Sequence, residues 1–415
     1  MRPSTKDADN FDSERYLEGV EKFQVKAVYN KDYFLPAVAC FIELFTPSSS
    51  IRTMVKAAEK HMQVSSGISD SSLDNLSQQG VGKKTAEKFF RFFFRLNPKL
   101  FNQLDSLCDM TEAVYENDNY WKWLGTIHTL KAREDQENDE LSLSIAFLEK
   151  RCRQSKQLNI RCREQWEKNQ EISEFLAFYF DEANRHTLLD DDEIKALQEG
   201  IAIAQKKDGS TIPGHAAVSL LQYRLDFYFH LMATLEVGIL RSWLEFDEVI
   251  QNRVPDLYLK GVFCGMAGSQ GQSSPFNRFL DTLKERLNPC ALKGGSALSD
   301  YKLATHIPLQ KADEQYVTQH EAQKRQLRKW REGNEYPSLD TLEAMISRLF
   351  GFKDQTPIIA RSLALIGFFF IGMDRLHKQL LEDKEITAEL LDKAYASYPR
   401  YWQNYRREIW DKAGS

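Results

Sequence analysis

The sequence predicts an all-α protein, a multi-helical body that carries a separate C-terminal module. Three observations lead there. From Ser13 onward, apolar residues recur at three- and four-residue spacing almost everywhere, the period that lines one face of a helix. Segments that alternate apolar and polar residues, as a half-buried strand would, are scarce. Runs of β-branched residues are short, so the chain lacks the composition that fits a pleated surface.

Taken in order, residues 1–12 are polar and read as a disordered tail. Residues 13–205 form an N-terminal helical region, broken by loops at Thr46-Pro47-Ser48-Ser49-Ser50 and Ser65-Ser66-Gly67. Within it, Phe89, Phe90, Phe92, Phe93 and Phe94 mark a strongly apolar helix central to that region's core. Asp190-Asp191-Asp192-Glu193 precedes another apolar helix, and carboxylates there suit the positive end of its dipole. Like the acidic run from Asp135 to Glu140, it reads as solvated surface. Contiguous carboxylates point different ways on a helix and do not converge on a metal ion.

Lys206 to Gly214 is a linker, and residues 211–264 follow as a central helical segment whose helix from Ala216 to Phe246 is rich in Leu and aromatics. Gly265 to Pro275 is the clearest boundary, and residues 275–415 form the C-terminal module. In that module Pro357 is placed where proline is tolerated, in the first turn of a helix running through Leu381. This helix is apolar on most sides, as a buried spine or a dimer contact would be. The last segment interleaves Tyr395, Tyr398, Tyr401, Trp402, Tyr405 and Trp410 with Arg400, Arg406 and Arg407. It reads as a terminal helix packed on the core, with a base-stacking surface as the competing reading.

The totals narrow the function. In 415 residues, a 42% hydrophobic and 12% aromatic content supplies real cores. A net charge of −5 gives no global field that would attract nucleic acid, so any such contact rests on a local patch. Six cysteines occur without a C-x-x-C pair, which suggests neither a zinc site nor a disulfide framework and fits a reducing, cytoplasmic setting. The start of the chain carries no apolar secretion signal. The most apolar run, Leu363 to Met373, is about half the roughly 20 residues of a membrane span. Gly-x-Ser-x-Gly, His-Glu-x-x-His and dinucleotide fingerprints are absent, so no cofactor or metal is expected.

One stretch points at a partner. Lys324-Arg325-Gln326-Leu327-Arg328-Lys329-Trp330-Arg331-Glu332 reads as a basic helix, and Gly333 as its left-handed stop. Ser338 then caps a following helix, where Asp340 suits the first turn and Leu339, Leu342, Met345, Ile346, Leu349 and Phe350 make one apolar face. Leu327 and Trp330 are three apart and anchor the basic helix inward. Lys324, Arg328 and Arg331 line one side of it, flanked by Arg325 and Lys329. Upstream, Leu298-Ser299-Asp300-Tyr301-Lys302-Leu303-Ala304-Thr305-His306-Ile307 reads as a shorter helix with Leu303 and Ala304 on its inner face.

Together, residues 298–351 resemble a Cro/phage-repressor (Xre-like) helix-turn-helix. The connection after Ile307 is longer than the tight turn of that family. The resemblance implies that Thr318 to Glu332 is a recognition helix entering a DNA groove. Lys324, Arg325, Arg328, Lys329 and Arg331 would then contact phosphates or bases, with Thr318, Gln319, His320 and Gln323 near the end that reads base edges. A two-fold operator would further call for a homodimer.

Two weaker resemblances stand beside it. Gly80-Val81-Gly82-Lys83-Lys84-Thr85-Ala86 resembles the hairpin of a helix-hairpin-helix motif, making Lys83 and Lys84 candidate phosphate contacts. The competing reading is a plain Gly-started helix. Arg224 and His230 have the Arg-x5-His spacing of HEPN-type ribonucleases, which are all-α. There His230 would act as acid/base, and Arg224 would stabilise phosphorane charge. With eight histidines in the chain, about one or two such spacings arise by chance, and a core histidine is the plainer account. The sequence therefore leads to a non-enzymatic, regulatory DNA-binding protein, with an RNA-cleaving enzyme and a helical scaffold for a protein partner as its rivals.

Overall fold

The computed structural model describes residues 141–168, 172–205, 212–246, 274–285, 296–309, 318–351, 357–382 and 386–413, with scattered positions between 33 and 131. Among the described residues the regular elements are helices and none is a strand, so the fold is all-α. The tail at 1–12, the linker residues 206–211, the boundary at 265–273 and the acidic run at 135–140 lie outside the described residues. Of the phenylalanine-rich helix, Phe92 is described and is buried.

The chain forms two compact units, residues 1–138 with 144–227 and residues 139–143 with 228–415. The division falls inside a helix, α4 (Gly214–Phe246), rather than in the linker before it. Helix α4, the described part of the segment 211–264, therefore contributes to both units. Leu221, Tyr223, Leu225 and Phe227 are buried in the first, and Phe229, Met232, Val237 and Ile239 in the second.

In the first unit, α1 (Ser142–Lys168) buries Ile145, Leu148, Cys152, Ser155, Leu158 and Cys162 at three- and four-residue spacing. Both of these cysteines are free thiols, and burial together with nearby Glu182 pushes Cys162 up to about 12. Helix α2 (Ile172–Asn184) adds Tyr179 and Phe180 to the core. Helix α3 (Asp191–Gln205) starts as its acidic run suggests. The Asp190 Oδ1 accepts from the backbone N–H groups of Asp192 (3.1 Å) and Glu193 (2.9 Å), and the Glu193 carboxylate accepts from the Asp190 N–H at 2.9 Å. Three amides at the helix start are satisfied in this way, those of Asp190 and Glu193 reciprocally.

The same core holds a charge. Arg151 occupies a buried position of α1, where periodicity alone would place an apolar side chain. Its guanidinium donates to Asp226 of α4 at 2.6 Å and to the His186 carbonyl at 3.3 Å. The rings of Phe34 and Phe147 face it at 4.3 Å and 5.4 Å. Both members of the pair are almost fully buried, at 1% and 2% side-chain exposure. The ring faces supply cation–π attraction in place of the hydration that the buried guanidinium has lost.

In the second unit, α5 (Pro275–Glu285), α6 (Asp300–Ala304), α7 (Gln319–Glu332), α8 (Leu339–Phe350), α9 (Pro357–Leu381), α10 (Ala388–Tyr395) and α11 (Tyr398–Ala413) follow in order. Helix α9 is the spine foreseen from its composition, with Leu363, Ala364, Ile366, Phe370, Ile371 and Met373 buried. It packs against α5 and α8 across Gly367. A Cβ at that position would lie 2.4 Å from Phe279 of α5 and 2.7 Å from Leu342 of α8. Tyr395, Tyr398, Tyr401 and Trp402 are buried, and Phe229 meets the first three rings at centroid distances of 6.1, 5.7 and 5.4 Å. These four aromatic residues of the C-terminus are thus core rather than a stacking platform.

Asp226→Asn is expected to destabilise the first unit by about 3–5 kcal/mol, because it strands a buried guanidinium. The double change Arg151→Met with Asp226→Leu should recover most of that loss. Urea denaturation followed by tryptophan fluorescence checks both, and an unchanged midpoint for Asp226→Asn would remove this pair from the account of the core.

Candidate nucleic-acid interface

Helix α7 carries five cations and two carboxylates in fourteen residues, and local chemistry sets both of its ends. Thr318 is the N-cap, with its hydroxyl accepting from the Glu321 N–H at 3.3 Å. Gly333 ends the helix in the left-handed region at φ 64°. Its N–H donates to the Trp330 carbonyl (3.1 Å), and Asn334 N–H donates to the Lys329 carbonyl (3.0 Å). This is the paired C-terminal pattern that glycine favours. Ser338 caps α8 by accepting from the Thr341 N–H at 3.2 Å, as its position in the sequence suggests.

The inner face of α7 is Gln323, Leu327 and Trp330, all buried. Gln323 was expected among the base-reading residues, but it is turned inward at 4% exposure. Its amide donates to the carbonyls of Thr305 and Ile307, both at 2.9 Å, joining the start of α7 to the end of α6. The physical reason is that α6 leaves two carbonyls without helical partners, and a buried amide is the group that reaches both.

Arg331 is likewise engaged by its neighbours. It donates to Asp281 of α5 at 2.9 Å and to Asp300 of α6 at 2.8 Å, and only 21% of its side chain is exposed. Lys284 joins the same two carboxylates at 3.3 and 3.4 Å. Asn277 of α5 donates to the Arg331 carbonyl at 2.7 Å. Arg331 thus clamps α7 to α5 and α6 instead of standing in the outward stripe.

A second clamp holds the end of α7. Lys378 of α9 donates to the Gly333 carbonyl at 3.1 Å and to the Tyr336 hydroxyl at 2.7 Å. The Tyr336 hydroxyl donates to the buried carboxylate of Asp374, which also accepts from the Phe276 N–H at 3.2 Å. Burial first, and Asp374 second, hold the Tyr336 hydroxyl far above its ordinary range, so it stays a donor.

The outward face retains Gln319, Arg325, Arg328 and Lys329, all exposed, with Lys324 beside them at 41% side-chain exposure. Arg325 sits roughly 160° around the helix from the Leu327 anchor. Three of these cations rest on carboxylates: Lys324 on Glu321 at 3.2 Å, Arg328 on Glu332 at 2.7 Å and Lys329 on Glu335 at 2.6 Å. Hydrogen bonding to Glu332 holds Arg328 above its ordinary range, and Lys329 with Gln326 holds Glu335 below the usual carboxylate range. Arg325 has no carboxylate partner among the described residues.

The surface extends past what sequence reading singled out. Tyr301 is 55% exposed, its ring centroid lies 4.0 Å from that of His320, and Lys324 stands over it at 4.9 Å. A tyrosine on the outer side of a short capped helix was the available signal.

The remaining candidates lie elsewhere. Lys83 and the two glycines before it are outside the described residues, while Lys84 is exposed on a helical turn of the first unit. Arg224 lies over the Tyr33 ring at 4.6 Å in the first unit. His230, in the second, is 6% exposed, with its Nδ1 at 2.8 Å from the Tyr405 hydroxyl and its ring edge-on to Tyr401. Both side chains take part in local packing. Among the described residues no group of three or more His, Cys, Asp or Glu is placed to hold a metal ion, and no helix is long and apolar enough to cross a membrane. No family model, curated protein or solved structure matches this chain.

Arg331→Ala is expected to lower the stability of the second unit by about 1–2 kcal/mol through loss of charged hydrogen bonds in a largely covered setting. Arg328→Ala should leave the thermal midpoint where it is. Parallel melting curves test the contrast, and equal effects would remove the distinction between clamp and outward cation.

Proposed function

We propose that this protein is a non-enzymatic, regulatory DNA-binding protein whose second unit meets the duplex with the outward face of α7. The reading rests on one observation: α7 is fixed by Leu327 and Trp330 on one side, while Arg325, Arg328 and Lys329 stand exposed on the others. A rigid cationic rod of this kind suits a negatively charged groove, with its long donors matched to phosphate oxygens and guanine edges. The contact set we propose is Gln319, Lys324, Arg325, Arg328 and Lys329, with Thr318 at the capped end. Gln323 and Arg331 are left to hold the helix.

The ion pairs along α7 do not bar this role. Exposed pairs contribute about 0–1 kcal/mol and are screened by salt, whereas a phosphate backbone offers many charges at once. A homodimer would let two such helices meet a two-fold site.

Binding to random duplex DNA at several salt concentrations is the test. Log affinity should fall linearly with log salt, and Arg325→Ala should reduce the slope by about one unit. Arg331→Ala should leave the slope unchanged. Affinity that is absent at low salt, or indifferent to salt, would defeat the reading.

A further inference from the structure

We infer that Glu332 and Glu335 act as built-in phosphate substitutes, occupying Arg328 and Lys329 so that sequence-indifferent DNA binds weakly and only a well-matched duplex displaces them. The inference rests on the DNA-binding reading of α7 and names the residues that would set its affinity threshold.

Glu332 and Glu335 differ from ordinary surface partners in being held from two sides. One oxygen of Glu332 accepts from the Arg328 Nε at 2.7 Å, and the other accepts from the side-chain amide of Asn334 at 2.8 Å. One oxygen of Glu335 accepts from the Lys329 Nζ at 2.6 Å, and the other accepts from the side-chain amide of Gln326 at 3.1 Å. The left-handed turn at Gly333 makes the second arrangement. It reverses the chain so that Glu335, beyond the helix end, lies beside residues six and nine positions earlier. A neutral amide thus holds the second oxygen of each carboxylate.

A carboxylate so placed presents the oxygen geometry that a phosphate would offer to arginine or lysine. An incoming duplex must therefore exchange partners at two of the outward cations rather than gain two new ones. That exchange carries the same cost for every sequence and leaves the ratio of specific to non-specific affinity unchanged. It lowers absolute affinity, so a duplex held by charge alone falls below the threshold of occupancy while one that also offers base contacts stays above it.

The test uses the full chain and a random-sequence duplex. Glu332→Gln with Glu335→Gln should tighten binding roughly tenfold, at a few-fold for each exposed pair, and steepen the salt slope by up to about two units. The gain from Glu332→Gln alone should vanish in an Arg328→Ala background, because the partner it frees is gone. Asn334→Ala and Gln326→Ala change no charge, loosen the same carboxylates, and should tighten binding about twofold each. They also keep the test open if the glutamine variants fail to fold.

If wild type and the variants bind equally, the inference is overturned and the DNA-binding reading stands. If the gain survives in Arg328→Ala, general charge removal explains it and the inference is again overturned. If only the variants bind, the inference holds in its strongest form. If neither binds, both readings fall.

Discussion

A helix end leaves carbonyls and amides that no neighbour in the helix can satisfy, and the position of α7 depends on how those groups are met. At its start, Thr318 supplies the missing acceptor, while Gln323 turns inward to take up the carbonyls of Thr305 and Ile307. At its finish, Asn277 and Lys378 reach from α5 and α9 to the carbonyls of Arg331 and Gly333. Apolar packing of Leu327 and Trp330 fixes which face is down. These polar ties from three other helices fix where the rod points. An amphipathic helix with the same inner face and no such ties would be free to roll and slide on its support.

Much of this module was legible in the sequence because its signals are local. The Gly333 stop, the Ser338 cap, the Leu327 and Trp330 anchors and the apolar face of α8 each depend on residues within a turn or two. What the sequence concealed depends on distant partners. Arg331 is seven residues from Lys324, so periodicity groups them on one side. Yet Asp281 and Asp300, 50 and 31 residues away, claim Arg331 for the interior edge. Gln323 is polar and near a helix start, which reads as outward until the carbonyls of α6 are seen beside it. Arg151 is the same lesson in the first unit, since a charge at an inner position is accounted for only by Asp226, 75 residues on.

The two units bury charge in different ways. The first closes a guanidinium and a carboxylate together between aromatic faces. The second buries the Asp374 carboxylate and surrounds it with a hydroxyl, a backbone amide and, at 3.5 Å, the partly exposed Lys378. The first arrangement is self-contained and costs much if either member is lost. The second works as a junction that joins the start of α5, the turn after α7 and the middle of α9. Its value is to the positioning of α7 more than to the packing of a core.

The crossing at Gly367 has a consequence for how this sequence can drift. Backbone, ring and methyl group already share that space, so the position is closed to any side chain while Phe279 and Leu342 keep their present size. Descendants of the same ancestor that carry alanine or serine there must have shortened the residue opposite, or let α9 slide away from α5 and α8. Exchange at 367 should therefore travel in company with exchange at 279 and 342.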